Sequence, residues 1–382
     1  MTALLALLAI EPRLVGVAPA SQALGLMPME LLHAGPPLRD PRRPPPVLMS
    51  SAVLTCIHEG WAHNADEAES LVLGGRVTLS PAQSRGCVVP LACVVSARTP
   101  LFEVGDPHGL SMHAPVSAVR GTDTRMGHRD PGVLERLSAR DQRIAPAWQA
   151  LLSARGPLEL LPLAARGLAE GDDLHSRTAA ANAALVSWLR KEGADKLGDD
   201  VAATPLFFLT LWMAASALML RAAEGGELPS LVTRAGGNGE HFGIGLAGDP
   251  QTWICVDAAA PCGRRLAAAP PDTTVCGAIG DSAVIDMLGC GGQALAGAPE
   301  PLRAFDGFLP ADYADLADRL LSGWHPRLGR PVGLDAQRVT AHQAAPLIAL
   351  AMLAADGAGG LVGRGLYRPP VALFQHTLAG LA

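Results

Sequence analysis

Residues 230–245 read SLVTRAGGNGEHFGIG, and this stretch is the most distinctive local pattern in the chain. Short runs of apolar and β-branched residues flank five glycines, a composition typical of strands joined by tight turns. Because glycine has no side chain, its backbone amides can approach a ligand closely, and Arg234 and Asn238 would add a guanidinium and an amide. The pattern is equally typical of an ordinary β-hairpin. The residues alone leave an anion or carbonyl site and a plain hairpin equally open.

The sequence on either side of this stretch divides into three regions. Residues 226–382 alternate short runs rich in Gly, Val, Ile and Thr with turns, which predicts a Gly-rich C-terminal α/β domain. Residues 131–225 have helical periodicity nearly throughout and predict a helical middle region. Residues 1–130 mix predicted strands and helices, as expected of an N-terminal α/β domain. The predicted fold class is therefore α/β.

Individual elements are predicted within these regions. Apolar runs predict buried strands at 14–18, 87–97 and 275–279, and helical patterns predict helices at 51–62, 65–73 and 341–360. Asn64 or Asp66 is a candidate N-terminal cap of the helix at 65–73. Six prolines predict an irregular loop at 31–46, and the Gly-, Pro- and His-containing residues 105–131 predict a second irregular loop.

The composition indicates a folded chain with a large core. Of the 382 residues, 49% are hydrophobic and 17% are charged, which argues against intrinsic disorder. The formal net charge is −6 and no long run of Lys and Arg occurs, so a nucleic-acid partner is disfavoured. Apolar runs at 2–10 and 206–220 are shorter than the roughly 20 residues of a membrane-spanning helix, and we interpret both as buried core.

The cysteines and histidines argue against a metal site. Seven cysteines lie at 56, 87, 93, 255, 262, 276 and 290 without a CxxC pair, which predicts reduced, mostly buried thiols and a cytoplasmic protein. His58 and His63 are five residues apart, so they would point about 140° away from each other around a helix. A zinc-binding helix needs histidines four apart. We therefore expect neither a metal nor another cofactor.

A second glycine-rich segment follows the predicted strand at 275–279. It contains Gly280, Asp281 and Ser282, and then Gly291 and Gly292. A strand that ends in Gly-Asp-Ser predicts a helix whose N-terminus receives an anion. The plainer interpretation is that Asp281 or Ser282 caps that helix, and a cap is the commoner role.

A third segment, GDDLHSR at 171–177, precedes another predicted helix. His175 would handle a proton there and Arg177 would bind an anion. The alternative is a solvated helix cap formed by Asp172 or Asp173, and the residues alone favour the cap.

Eight stretches together resemble one family, the G-type (AllG-like) subunit of oxamate carbamoyltransferase. They are VGVAPASQALGL (15–26), LLHAGPP (31–37), HEGWA (58–62), VVSARTPLFEV (94–104), GDDLHSR (171–177), SLVTRAGGNGEHFGI (230–244), GAIGDSAVIDMLGCGG (277–292) and GRPVGLD (329–335). They span most of the chain in the expected order.

The resemblance implies a reaction and partners. Members of the family work with two other subunits to exchange a carbamoyl group between oxalurate and phosphate, giving oxamate and carbamoyl phosphate. Anionic substrates and a carbonyl that gains negative charge need preorganised donors. We therefore predict catalytic roles for His175, Arg177, Arg234 and Asn238. The predicted substrate- or anion-binding residues are Thr233, Gly237, Gly239, Gly280, Asp281, Ser282, Gly291 and Gly292.

The chain also departs from the family pattern. Relatives carry Cys-His-Asn-Arg where this chain has Leu174-His175-Ser176-Arg177, and residues 109–127 lack an Asn-Glu-Gly-Leu-Gly segment. Two alternatives follow from these departures. The chain would be a non-catalytic assembly subunit of such a complex, or a stand-alone anion- or amide-binding protein with a different substrate.

Overall fold

The computed structural model describes residues 3–117, 121 and 123–381. The helices are α1 (Ala3–Ala9), α2 (Ala20–Ala23), α3 (Pro46–Glu59), α4 (Ala65–Leu73), α5 (Gly132–Ala139), α6 (Ala145–Arg155), α7 (Leu161–Ala169), α8 (Ala179–Lys191), α9 (Asp195–Ala202), α10 (Phe207–Arg221), α11 (Ala283–Leu288), α12 (Pro299–Ala304), α13 (Leu316–Leu320), α14 (Ala336–His342) and α15 (Val371–Ala379). A π-helical turn at Arg140–Ile144 joins α5 to α6.

The strands are short and belong to several small sheets. They are β1 (Arg13–Pro19), β2 (Glu30–His33), β3 (Thr78–Pro81), β4 (Val94–Val95), β5 (Pro100–Gly105), β6 (Ser111–Pro115), β7 (Leu158–Glu159), β8 (Val232–Asn238), β9 (His241–Leu246), β10 (Asp249–Asp257), β11 (Cys262–Arg265), β12 (Ile279–Gly280), β13 (Leu321–His325), β14 (Arg330–Leu334), β15 (Ile348–Leu353) and β16 (Leu361–Tyr367).

Most of the strand pairing is antiparallel. Two four-stranded sheets have the orders β6-β5-β1-β7 and β10-β9-β8-β12, and a three-stranded sheet has the order β11-β16-β15. β13 and β14 form a separate hairpin. In the sheet of order β3-β2-β4, β2 pairs with β3 in parallel and with β4 in the antiparallel direction. Helices accompany these sheets along the chain, so the predicted α/β class is confirmed.

Helix α10 lies at the centre of the molecule. Thirteen of its fifteen residues are buried, and it packs against β5 and β6 on one side and against β8 and α11 on another. Phe207 stacks on Trp148 at a ring-centroid distance of 5.8 Å, and Phe102 meets Trp148 edge-on at 5.6 Å. Such aromatic contacts add to the burial of a large apolar area. The apolar run at 206–220 is therefore a core helix, as predicted.

Within the described residues, no single helix has the length and apolar character needed to cross a membrane, although α9 and α10, which meet at a 91° bend, satisfy that length and composition together.

Several predicted elements match the structure closely. The strand at 14–18 is β1, and the helix at 65–73 is α4. The Asn64 side chain accepts a hydrogen bond from the Glu67 backbone N–H at 2.9 Å, as expected of a helix cap. The helix predicted at 51–62 begins earlier, at Pro46, and ends at Glu59 because Gly60 takes a left-handed φ of 77°.

Other predicted elements were wrong. Residues 105–131 were predicted to be irregular, but Ser111–Pro115 pairs in register with β5 and buries Met112 and Ala114 against the core; residues 118–120 and 122 of that predicted loop lie outside the described residues. The strand predicted at 87–97 shrinks to Val94–Val95, and the one at 275–279 to Ile279–Gly280. In the segment predicted as a helix at 341–360, α14 ends at His342 and a strand follows.

The largest hydrophobic cluster takes residues from all three predicted regions. Leu14, Trp148 and Phe242 belong to it, one from each region. Domain boundaries near residues 130 and 225 stay a prediction. Five of the seven cysteines are buried, which agrees with the expected mostly buried thiols.

Candidate functional site

The stretch at 230–245 forms the β8–β9 hairpin, and Asn238 lies at its turn. The Asn238 side chain is fully buried. Its Nδ2 donates to the carbonyls of Pro36 and Pro37 at 2.9 and 3.3 Å, and its Oδ1 accepts from the backbone N–H groups of Glu240 and His241 at 2.9 and 2.7 Å. The amide therefore ties the hairpin turn to the proline loop, and its hydrogen-bonding capacity is used by the protein.

Arg234 lies on the same strand as Asn238 but at a different place. Four residues of extended chain separate them by about 13 Å. The Arg234 Nε lies 3.5 Å from Glu224 Oε1, and burial lowers the pKa of Arg234 despite this partner. Its Nη1 and the hydroxyl of Thr233 are buried and have no hydrogen-bond partner in the part of the chain that the structure describes. The structure therefore does not bring Arg234 and Asn238 to one spot.

Asp281 connects three segments that are far apart in sequence. Its Oδ1 accepts from the Gly35 N–H at 2.8 Å and from Gln83 Nε2 at 2.6 Å, and its Oδ2 accepts from the Val89 N–H at 2.9 Å. Burial raises the pKa of Asp281 to about 7, although these three donors oppose the shift. Neither Asp281 nor Ser282 caps α11 with its side chain. The capping interpretation of this segment is thus wrong.

The glycines near Asp281 allow backbones to approach closely. A Cβ atom on Gly35 would lie 2.4 Å from the carbonyl carbon of Gly237, and one on Gly236 would lie 2.6 Å from Asp281 Oδ1. A Cβ on Gly237 would lie 2.1 Å from the carbonyl oxygen of Ala278. These glycines therefore serve packing between the proline loop, β8 and the segment before β12.

The GDDLHSR segment forms a buried, tightly bonded turn. Asp172 accepts from the backbone N–H groups of Ala180 and Ala181, both at 2.9 Å, and also pairs with Arg177. The predicted cap is therefore present at the start of α8, but it is buried rather than solvated. Leu174 has a φ of 66°, a left-handed conformation that is costly for a residue with a side chain. Such strain is most often found at functional sites.

His175 leaves this turn and pairs with Asp286 of α11. The His175 Nδ1 lies 2.7 Å from Asp286 Oδ2, and both side chains are buried. The Asp286 Oδ1 accepts from the backbone N–H groups of Gly292 and Ala349 at 2.7 and 3.1 Å. Burial raises the pKa of Asp286 above its usual value, and these three donors oppose that shift by favouring the ionised carboxylate. With Asp286 ionised, the shared proton lies on His175 Nδ1.

The electrostatics of the His175–Asp286 pair suit a proton carrier. Burial by itself lowers the pKa of His175, but attraction to Asp286, the hydrogen bond with it and the charge of Asp173 together raise that pKa above its usual value. Among the described residues, His175 Nε2 makes no hydrogen bond. Nε2 of His33 and Nε2 of His325 are fully buried and have no partner among the described residues. Nε2 of His175 also has no partner there, but it is not fully buried. One ring nitrogen is therefore held and the other is available.

Gly291 and Gly292 use their amides inside the protein. The Gly291 N–H donates to the Asp173 carbonyl at 2.7 Å, and the Gly292 N–H donates to Asp286. A Cβ atom on Gly291 would lie 2.2 Å from Asp286 Oδ1 and 3.0 Å from the Cβ of His175. This glycine turn therefore packs directly on the pair.

A pocket lies beside the segment that follows α11, and we call it the hairpin pocket. Its volume is about 340 Å³, and it is lined by Ala165, Leu168, Ala169, Asp172, Ala294, Gly297 and residues 326–330 of the β13–β14 hairpin. The Arg330 Nη2 donates to the Gln293 carbonyl at 2.8 Å. The hairpin pocket and the His175–Asp286 pair thus share the segment that follows α11.

The predicted site residues divide into three groups. His175, Arg177, Gly291 and Gly292 lie around the His175–Asp286 pair. A second group lies around Asp281 or at the adjacent turn of the β8–β9 hairpin, and it comprises Asn238, Gly237, Gly239, Gly280, Asp281 and Ser282. Thr233 and Arg234 lie apart from both groups, near Glu224. Roles in binding or catalysis stay predictions for all of them.

Sequence reasoning missed Gly35, Gln83, Asp286 and Arg330. Gly35, Asp286 and Arg330 stand inside stretches that carried the resemblance, but no motif assigned them a role. Only the position of each within a quoted stretch was a signal. Within the described residues, no group of three or more His, Cys, Asp or Glu side chains is placed to hold a metal ion.

The sequence has relatives along nearly its whole length. It is 28% identical to oxamate carbamoyltransferase subunit AllG of Escherichia coli (strain K12), over 97% of this chain and 94% of that protein. It is also 28% identical to the uncharacterized protein YahG of the same strain, over 97% of this chain and 82% of that protein.

A solved structure has the same fold. The crystal structure of a conserved protein of unknown function from Enterococcus faecalis V583 matches with a TM-score of 0.92 and 23% sequence identity, covering 100% of this chain and 96% of that chain.

The family model for oxamate carbamoyltransferase subunit AllG matches residues 77–282, more than half of the 382 residues. His175 and Asp281 lie within the matched part, while Asp286 and Arg330 follow it. The chain therefore belongs to the family of the oxamate carbamoyltransferase subunit AllG.

Proposed function

We propose that the chain is a subunit of a cytoplasmic carbamoyltransferase complex with two other subunits, and that the complex exchanges a carbamoyl group between oxalurate and phosphate. The family membership supports a subunit of this kind. The observation that carries a catalytic role is the buried His175–Asp286 pair, because it holds Nδ1 and leaves Nε2 without a hydrogen-bond partner among the described residues.

The reaction requires one proton to change places. A phosphate oxygen attacks the carbamoyl carbon of oxalurate, the bond from that carbon to the oxamate nitrogen breaks, and oxamate and carbamoyl phosphate leave. The phosphate loses a proton and the oxamate nitrogen gains one. His175 Nε2 takes the first proton and delivers the second, while Asp286 stabilises the imidazolium that forms between the two steps.

The other predicted residues remain part of this proposal. Arg177 would bind a carboxylate, Arg234 an anion, and Asn238 with the amides near Gly237 and Gly239 the developing oxyanion. Each of Arg177, Arg234 and Asn238 already has a partner in the protein: Asp172, Glu224 and the proline loop. To bind the substrate, each of these side chains would have to give up its present partner. His175 is therefore the stronger candidate for a catalytic role.

The alternative is a non-catalytic assembly subunit. It is favoured by one observation: Asn238, Gly291 and Gly292 use their polar groups to hold segments of the chain together. In that case the chemistry would lie in a partner subunit, and His175 would contribute only to packing.

Reconstitution tests the proposal. Purified chain is combined with its partner subunits and supplied with oxalurate and phosphate. Carbamoyl phosphate is measured with ADP and a carbamate kinase, which transfers its phosphoryl group to ADP and so forms ATP. The expected result is turnover that requires oxalurate, phosphate and this chain together. No carbamoyl phosphate from an assembled, complete complex would remove this reaction from consideration.

A further inference from the structure

The hairpin pocket contains a cation whose charge the protein does not neutralise. Arg330 forms no ion pair with any described residue, and its one protein hydrogen bond runs from Nη2 to the Gln293 carbonyl. Its Nε is buried and has no hydrogen-bond partner among the described residues. A guanidinium has five N–H donors, and leaving a buried one unused is unfavourable. Arg330 is therefore short of an acceptor.

The neighbouring charges do not supply that acceptor. Arg327 on the same hairpin lies 3.6 Å from Glu11 Oε1 and 3.5 Å from Glu159 Oε2. Asp172 lines the pocket, but its carboxylate is taken by Arg177 and by two backbone N–H groups at the start of α8. The pocket thus has an uncompensated positive charge, and it favours an anion.

The rest of the lining distinguishes between anions. Ala165, Leu168 and Ala169 of α7 form an apolar wall opposite the hairpin. A phosphate would press charged oxygens against these alkyl groups, which is costly. A small planar carboxylate has its charge at one end only, so it can place that end on Arg330 and its uncharged part along the wall. The volume of about 340 Å³ is within the range of small-molecule sites.

The pocket and the His175–Asp286 pair share one support. In the segment after α11, the Gly292 N–H donates to Asp286, and the carbonyl of the next residue, Gln293, accepts from Arg330. An anion held by Arg330 would therefore lie next to the turn that positions His175.

We propose that Arg330 binds the carboxylate of a small amide-bearing acid, oxalurate or oxamate, in the hairpin pocket. This inference rests on the proposed function for the identity of the acid. A guanidinium matches a carboxylate with two parallel hydrogen bonds, which gives both affinity and orientation.

Kinetics of the reconstituted complex test this role. Arg330→Gln is expected to raise the KM for oxalurate about 10- to 100-fold, because a charge-assisted pair is lost, and to change the KM for phosphate less than about threefold. Arg330→Lys keeps the charge without the fork and should fall in between. Arg338→Gln is the matched control: Arg338 also donates to backbone carbonyls, but it lies on α14 outside the pocket.

Chemical protection gives a second readout that requires neither turnover nor a variant. The wild-type full chain is treated with phenylglyoxal, and modification of Arg330 is measured by mass spectrometry with oxamate or with inorganic phosphate present. Oxamate should protect Arg330 and phosphate should not.

Three outcomes would overturn the inference. They are unchanged KM values in Arg330→Gln, a rise confined to the KM for phosphate, and equal protection by phosphate and oxamate. A complex without turnover in which oxamate still protects Arg330 would instead count against the proposed reaction and leave the carboxylate site standing.

Discussion

Asp281 and Asp286 lie on either side of the start of α11, five residues apart, and each buried carboxylate accepts three hydrogen bonds. Asp281 accepts hydrogen bonds from Gly35, Gln83 and Val89 of the N-terminal region. Asp286 accepts hydrogen bonds from His175, Gly292 and Ala349. One short helix thus joins the middle and C-terminal parts of the fold to the N-terminal part. The first carboxylate holds the scaffold, and the second holds the candidate proton carrier.

Replacing His175 by Asn should abolish most of the activity without preventing assembly. The amide nitrogen of Asn can still donate to Asp286, whereas nothing replaces Nε2. We expect kcat to fall about 100- to 10,000-fold, the usual contribution of a positioned acid–base group. Steady-state kinetics and size-exclusion chromatography of the reconstituted complex measure the two quantities.

His376→Asn is the control for this variant, since His376 is exposed on α15. It should leave kcat unchanged. An assembled His175→Asn complex with wild-type kcat would favour the assembly-subunit alternative.

Replacing Asp286 by Asn should lower the pKa of His175. In the native chain the Asp286 carboxylate raises that pKa by attraction and hydrogen bonding. Removing the anion destabilises the imidazolium, so the acid limb of the pH–rate profile moves to lower pH. NMR titration of the His175 ring reports the pKa directly. Asp335→Asn is a suitable control, because Asp335 is a buried helix cap remote in sequence from the pair. An unchanged pKa of His175 in Asp286→Asn would contradict this account.

Asp281 should make the chain less stable as the pH rises. Its folded-state pKa of about 7 lies above the ordinary value of 3.8. The folded chain therefore binds the proton more tightly than the unfolded chain, and this contribution is complete below pH 3.8 and lost as the pH rises to about 7. The free energy of unfolding should fall by roughly 1 kcal/mol per pH unit across that window.

Urea unfolding of the wild type and of Asp281→Asn between pH 4 and 8 measures this effect. Other titrating groups are common to both proteins and cancel in the difference. The Asn side chain also places its N–H₂ group where only an acceptor fits, because every partner of Asp281 is a donor, so the variant should be less stable throughout. A stability difference that does not change with pH would show that Asp281 does not titrate in this window.

Replacing Gly35 by Ala should destabilise the scaffold strongly. Gly35 has a φ of 77°, and a Cβ there would lie 2.4 Å from a backbone carbon of Gly237. We expect a loss of about 3 kcal/mol in the free energy of unfolding, from overpacking and from the left-handed conformation together. Chemical denaturation measures it.

Gly25→Ala isolates the conformational part of that loss. Gly25 has a φ of 65°, but no atom lies within 4 Å of a Cβ placed there. This variant should lose only about 1 kcal/mol. Equal losses in the two variants would mean that the contact between the proline loop and β8 contributes nothing.

Local sequence signals predicted the elements whose causes are local. Asn64 caps α4 because its side chain needs only the N–H three residues later, and Gly60 ends α3 because glycine takes the left-handed φ without steric cost. The apolar residues of α10 predicted a buried helix because a helix without a polar face has to be covered. These features depend on neighbours a few residues away.

Short strands were harder to predict from sequence. β6 contains Ser111, His113 and Pro115, and it is a strand because β5 supplies its hydrogen bonds. The segment at 87–97 is apolar and buried, yet only Val94 and Val95 form a strand, and Cys87 makes an isolated bridge to His113. Burial follows from composition, whereas pairing depends on the register of a distant segment.

The sequence by itself determined the α/β class and the family. Only the tertiary structure decided which polar residues are free to act. Asn238 and Asp281 are occupied by the proline loop and by Gln83. Among the described residues, His175 keeps Nε2 without a hydrogen bond, and Arg330 keeps an unused donor in the hairpin pocket. The physical reason is that a buried polar group must find a partner, and here the partners lie up to 246 residues away in the chain.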